Sequence, residues 1–161
     1  MTRSPLLLLD ANAWIDNYCP SRPNAVASQK IVSYAVKNDI DLLYPITALG
    51  TIFYVINSTL KHLAKHSEET LNPQHALAAR EYAWSCIENL QAIASALGAD
   101  QSDAWLATKY RSLHNDLEDD LILASAQQIE GLYLVTNDVK LRQNAPLPAL
   151  DPTSMLTLLN G

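Results

Sequence analysis

Three features of the 161-residue chain predict an α/β fold with a central parallel sheet. Short, wholly apolar runs such as Leu6–Leu9 and Leu132–Val135 have the length of strands buried on both faces. Segments with a 3.6-residue apolar period lie between such runs. Acidic residues, Asp10 and Asp138, stand just past two of them. Strands alternating with helices imply a sheet covered on both faces and joined by right-handed crossovers.

Each element follows from its local pattern. Leu6–Leu9 reads as the first strand, ended by Asp10. Asn24 to Asn38 carries Val26, Ile31, Val32, Ala35 and Val36 at helical spacing. Asp41 to Pro45 reads as a second strand, with proline tolerated at its end. From Thr47 to about Ala64 the residues Ile52, Phe53, Val55 and Ile56 are strand-prone, but length and the Pro45-Ile46-Thr47 start signal favour a helix. Pro73 opens the clearest helix, since proline in a first turn lacks only an N–H that had no partner. Its apolar repeat runs from Ala76 to Leu97, with Gly98 as the stop. Shorter helices are expected at Asp103–Leu113 and Asn115–Glu130, the latter ended by Gly131. Leu132–Val135 is a buried strand. Ala149-Leu150 is a short strand or turn, and Asp151 or Thr153 caps a final helical turn. No internal repeat or linker divides the chain, so one domain spanning residues 1–161 is expected.

Composition narrows the class. Apolar residues make up 48%, enough for a sizeable core, and glycine and proline number only 4 and 8. The net charge of −6 excludes a uniformly basic nucleic-acid binder, but not a local basic rim. Cys19 and Cys86 are too few and too far apart for a zinc site or a disulfide framework, and read as reduced structural thiols. No apolar stretch reaches the roughly 20 residues that cross a bilayer. Leu6–Leu9 is too short for a signal-peptide core. A soluble cytoplasmic protein is the expectation.

The carboxylates carry the chemistry. In open parallel sheets ligands bind at the carboxyl ends of strands, so Asp10 and Asp138 project toward one edge if their strands share a sheet. A third group, Asp116-Leu117-Glu118-Asp119-Asp120, opens a helix. The helix dipole stabilises one or two acids there by ~0.3–1 kcal/mol each, not four that repel one another. Two unit charges 4 Å apart repel by ~4 kcal/mol at an effective dielectric of 20, so converging carboxylates call for a cation. Mg²⁺ and Mn²⁺ suit carboxylate-plus-water sites.

Simpler readings stand beside these. Asp10 can cap the segment that follows it, and Asn137-Asp138 is good turn chemistry. Asp116 and Asp120 fit a solvated first helical turn. His114 reads as a surface residue before that cap, with a site histidine as the alternative. His62 and His66 share a helix face but lack a third ligand. Trp14, Trp84 and Trp105 suit core or interface packing before base stacking. Lys109-Tyr110-Arg111 suits either an RNA phosphate contact or a solvated helix face.

The residues quoted so far resemble the PIN-domain family, in particular its VapC-like toxin type. Leu6-Leu7-Leu8-Leu9-Asp10-Ala11-Asn12 is similar to the family's opening strand with its metal-binding aspartate. Asp116 to Ala126 resembles "D-F-E-D-A-L-Q-x-A-x-A". Leu134 to Lys140 resembles "I-V-T-R-N/D-x-K", and Ala145 to Pro152 resembles the terminal "x-P-I-P-V-x-x-P". The motifs occur in the family's order at both ends of the chain. The resemblance implies a three-layer α/β fold with a central parallel sheet flanked by helices. It implies a metal-dependent endoribonuclease, with Mg or Mn, paired with a small antitoxin and forming a homodimer. Asp10, Asp119 and Asp138 match catalytic and metal-ligand positions. Glu118 is an assisting ligand, and Asn12 and Thr136 match supporting polar positions.

Some positions depart. Asn137 stands for the family's arginine and Leu141-Arg142 for a later "D-F", and where the family places an acid on the helix after the second strand stands Thr51, or Gly50 with a one-residue shift. A hydroxyl carries no charge to anchor a cation, and Asp116 or Glu118 is the residue that could compensate. The alternative function is therefore a catalytically degenerate PIN domain that binds RNA or protein without cutting. A phosphotransferase of the haloacid-dehalogenase type would need a second aspartate where Asn12 stands.

Overall fold

The computed structural model describes residues 4–67 and 72–161. Its sheet has five strands, all parallel: β1 (Leu6–Leu9), β2 (Leu42–Pro45), β3 (Ser95–Leu97), β4 (Leu132–Val135) and β5 (Ala149–Leu150), in the order β3-β2-β1-β4-β5. The chain moves outward from β1 to β2 and β3, then returns to the other side of β1 with β4 and β5. The strand order therefore reverses between β1 and β4, where parallel α/β sheets open a crevice. Leu9 lies opposite Val135, so the residues that follow each strand emerge side by side.

The apolar runs are continuous because both faces are covered. Leu7 and Leu9 join Val135 in a core shared with α1 (Ala11–Tyr18), α2 (Ala25–Lys37), α3 (Leu49–Ser67), α4 (Pro73–Ile93) and α8 (Pro152–Asn160). Leu8 points the other way, with Leu132 and Leu134, toward α5 (Gln101–Tyr110), α6 (Leu117–Ala126) and α7 (Val139–Asn144). This period-two alternation creates the three layers. Truncating one of these fully buried leucines to alanine would cost about 2–5 kcal/mol.

The long helix is shorter than its apolar period predicts. It is capped by Asn72, whose side chain accepts the Gln74 N–H at 2.8 Å, and it ends at Ile93. Ala94 is extended, and Ser95–Leu97 pairs with Leu43–Pro45 as an edge strand. Ala94 and Leu97 satisfy a helical repeat, but pairing with the open edge of β2 claims them. The helix expected at Asn115–Glu130 spans only Leu117–Ala126, and Gly131 turns the chain into β4 with φ +76°. Helix α5 begins at Gln101, two residues earlier than the apolar pattern indicates, because Asp100 and Asp103 form a reciprocal capping box. Helices α1 and α7, directly after Asp10 and Asp138, have no separate sequence prediction. Each is short and is set by its aspartate cap.

Candidate metal centre

Three helix N-termini meet at the β1–β4 edge, and an acidic side chain marks each. Asp10 caps α1, its Oδ1 accepting the Ala13 N–H at 2.7 Å. Asp138 caps α7 and accepts the Leu141 N–H at 2.9 Å. Asp116 caps α6 and accepts the Asp119 N–H at 3.1 Å, so Asp119 lies in the first turn. Capping and site geometry are thus one arrangement: the chain must leave each strand through a turn, an aspartate is a good cap for it, and the helix dipoles favour negative charge there.

Thr136 ties the two strand-end acids together. It is fully buried, its hydroxyl donates to Asp10 Oδ2, and the same oxygen accepts the Asp138 N–H at 3.0 Å. Asp10 has almost no exposed surface, and burial, only partly offset by the Thr136 and Ala13 hydrogen bonds, pushes its carboxyl up from 3.8 to about 7. The neighbouring charge of Asp119 adds to that rise. Asp119 is raised to about 6, again chiefly by burial, with the His114 hydrogen bond acting the other way.

His114 is buried, contrary to its reading as a surface residue. Its Nε2 lies 2.7 Å from Asp119 Oδ2 and 3.9 Å from Asp138 Oδ2. One ligand atom from each of His114, Asp119 and Asp138 lies within 4.8 Å of the others. Asp120 also departs from expectation. It is buried rather than solvated, with its carboxyl raised by desolvation. Asn115, directly after His114, is a non-glycine residue at φ 61°, so the chain turns sharply between His114 and the Asp116 cap. A histidine just before an asparagine and a helix cap is the signal that could have pointed there.

The remaining predicted residues sit at the rim. Thr51, in the first turn of α3, donates to Glu118 Oε2 at 2.7 Å on the exposed surface, so the two are neighbours. Glu118 is not in the group formed by His114, Asp119 and Asp138. Asn12 faces solvent, and its Oδ1 accepts from Arg22, which pairs with the buried Asp16 at 2.5 Å. His62 and His66 contact each other through their Nε2 atoms at 2.9 Å on the exposed face of α3. Of the tryptophans, Trp14 is core, Trp84 packs against Phe53, and Trp105 is exposed beneath the Lys109 ammonium.

The donor set fits a divalent cation. Two carboxylates and a ring nitrogen converge beside a third, buried carboxylate that burial otherwise drives toward its neutral form. This fold and site define a class: parallel α/β domains with an acidic centre at the topological switch point. A family model described as PIN domain matches residues 7–140, and the chain belongs to the PIN-domain family. No curated protein matches it. Among solved structures it is similar to VapBC2 from Rickettsia felis bound to a DNA fragment from its promoter (13% identity, TM-score 0.62, covering 91% of this chain and 98% of that one). It is also similar to VapBC-1 from nontypeable Haemophilus influenzae (19% identity, TM-score 0.56, covering 92% and 98%).

Proposed function

We propose that this PIN-domain protein is a metal-dependent endoribonuclease of the VapC-like toxin type, hydrolysing RNA phosphodiester bonds at the β1–β4 edge. The observation that carries this reading is the meeting of Asp119, Asp138 and the His114 nitrogen within 4.8 Å, next to the buried Asp10. When bound, Mg²⁺ or Mn²⁺ would offset the carboxylate charges and lower the pKa of an attacking water. The chain's own part is positioning. Thr136 fixes Asp10 relative to the Asp138 backbone, and Asp116 fixes the α6 turn that presents Asp119. Glu118, held by Thr51, borders the approach, and Asn12 lines the other rim. Exposed Lys109, Arg111 and Lys140 offer a local basic margin for RNA despite the negative net charge.

The partners in this reading are RNA, a small antitoxin protein and a second copy of the chain. Support for protein partners comes from the exposed rings on the α3–α4 face: Tyr54 and Trp84 are 68% and 52% exposed, and both contact Phe53. A cytoplasmic location belongs to the same proposal. No helix among the described residues is long and apolar enough to cross a membrane.

Cleavage of a labelled RNA in Mn²⁺ tests the proposal. Asp10→Asn and Asp119→Asn should each abolish it, and undiminished cleavage in both variants removes the site assignment. The replacement of the α3 acid by Thr51, whose hydroxyl is already engaged by Glu118, favours a second reading: a degenerate PIN domain that binds RNA or protein without cutting. Wild-type protein that binds RNA but neither Mn²⁺ nor Mg²⁺ would establish it.

A further inference from the structure

We propose that His114 is a metal ligand, so that this centre is a histidine-containing site selecting Mn²⁺ or another nitrogen-accepting divalent ion over Mg²⁺. The inference rests on the endoribonuclease reading for the presence of a metal, and extends it to the ligand set and the choice of ion.

Four observations carry it. The imidazole is buried and aimed at the acids, with Nε2 at 2.7 Å from Asp119 and 3.9 Å from Asp138, so one ion could replace the proton between them. The backbone that carries the ring is held from several sides. The His114 backbone N–H donates to the Tyr110 carbonyl at 3.2 Å, Lys140 donates to the His114 carbonyl at 3.0 Å, and the left-handed Asn115 closes the turn. The α3 position that would bring a further acid holds Thr51, whose hydroxyl donates to Glu118, so α3 itself brings no carboxylate to the centre. Finally, two buried polar atoms nearby, His114 Nδ1 and Asp120 Oδ1, have no hydrogen-bond partner among the described residues. A ligating histidine carries its proton on the nitrogen turned away from the ion and is commonly steadied there by a carboxylate. Asp120, whose buried Oδ1 is also without a partner among the described residues, is the carboxylate available for that part.

The chemical consequence is selectivity. Mg²⁺ prefers an all-oxygen octahedron and gives up water reluctantly, whereas imidazole nitrogen suits later divalent metals. Exchanging a carboxylate for a neutral ring also lowers the negative charge of the site by one, which weakens Mg²⁺ more than an ion that bonds well to nitrogen.

The test is Mn²⁺ binding to the intact protein, with electron spin echo modulation of the bound Mn²⁺ to detect histidine nitrogen, using ¹⁵N-histidine protein to assign it. The expected result is a nitrogen coupling that changes on labelling and disappears in His114→Gln. The variant's Mn²⁺ affinity, measured by calorimetry, should fall by at least about 10-fold, the lower bound for losing even an outer-shell partner of a metal. Its preference for Mn²⁺ over Mg²⁺ should narrow as well. Tight Mn²⁺ binding without nitrogen coupling in the wild type overturns the His114 assignment and leaves the endoribonuclease reading standing. Failure of Mn²⁺ to bind at all overturns both. A variant with His62→Gln, His66→Gln and His75→Gln leaves His114 as the chain's one histidine, and retention of the nitrogen coupling there decides the question even if His114→Gln does not fold.

Discussion

At the β1–β4 edge, Asp10, Asp120 and His114 are packed below the surface, whereas on the outer faces of α3 and α4 the rings of Tyr54 and Trp84 stand in water. Each region is costly in its own way. The first holds charge where solvation is poor, and the second leaves apolar surface where burial would be favourable. A folded domain tolerates such features when something outside the chain relieves them. On the proposed function, the edge takes a cation and a polyanionic substrate, and the α3–α4 face takes another protein surface. The difference teaches that the two can be separated by mutation, because no side chain of the acidic group lies on the α3–α4 apolar face.

The largest effect should come from the centre of the acidic region. Asp119→Asn removes a carboxylate from the convergent group while leaving the Asp116 cap in place, and RNA cleavage should drop by more than the roughly 10–100-fold that an outer-shell change costs. Circular dichroism melts should show the fold intact. Cleavage within tenfold of wild type would detach the chemistry from this edge.

Next is a stability effect with a defined sign. The Asp10 carboxyl is raised from 3.8 to about 7 in the folded chain, so between those values the folded state holds a proton that the unfolded state has released. Stability of the chelated protein should therefore fall as pH rises through that window and level off above it. Asp10→Asn removes the Asp10 share of this dependence, leaving that of Asp119, while keeping an acceptor for the Ala13 N–H. In chelator the variant should melt above wild type at about pH 8 and converge with it near about pH 4, and added Mn²⁺ should reverse the order. Identical pH profiles for the two proteins would mean that Asp10 is not held under strain.

The hairpin face is challenged by Trp84→Ala combined with Tyr54→Ser. Buried aromatic anchors in interfaces contribute about 2 kcal/mol or more, so self-association measured by sedimentation equilibrium should weaken by roughly 30-fold. RNA cleavage per chain should stay near wild type. Lost cleavage with unchanged association would join the two regions that the structure separates. The smallest effect is expected at their boundary. Thr51→Val breaks one exposed hydrogen bond to Glu118, worth about 0.5–1.5 kcal/mol, and should change cleavage by less than about tenfold. A complete loss would make Glu118 a direct participant.

Much of this arrangement was legible in the residues. Leu6–Leu9 and Leu132–Val135 announce themselves because strands buried on both faces cannot afford polar positions. Their parallel pairing brings the following acids to one edge. What was not legible is what tertiary competition decides. Strand β3 hides inside a helical repeat because Ala94 and Leu97 suit either structure, and only the open edge of β2 selects one. The buried state of Asp120 follows from how α6 packs in the fold, which no local pattern encodes. The role of His114 was obscured for the same reason, since a lone histidine before a cap looks the same whether its ring turns outward or inward. The resemblance of the terminal motifs to PIN domains reached the acids but not the histidine, because those motifs begin at Asp116.

The hydroxyl of Thr136 joins two carboxylate-bearing turns across a sequence separation of 126 residues from Asp10. A nascent chain still lacking β4 on the ribosome carries the first acid held only by the local Ala13 N–H. The centre comes into being only once β4 has been made and closes against β1. On the proposed function, cleavage waits until Asp119 and Asp138 have been made and brought beside Asp10.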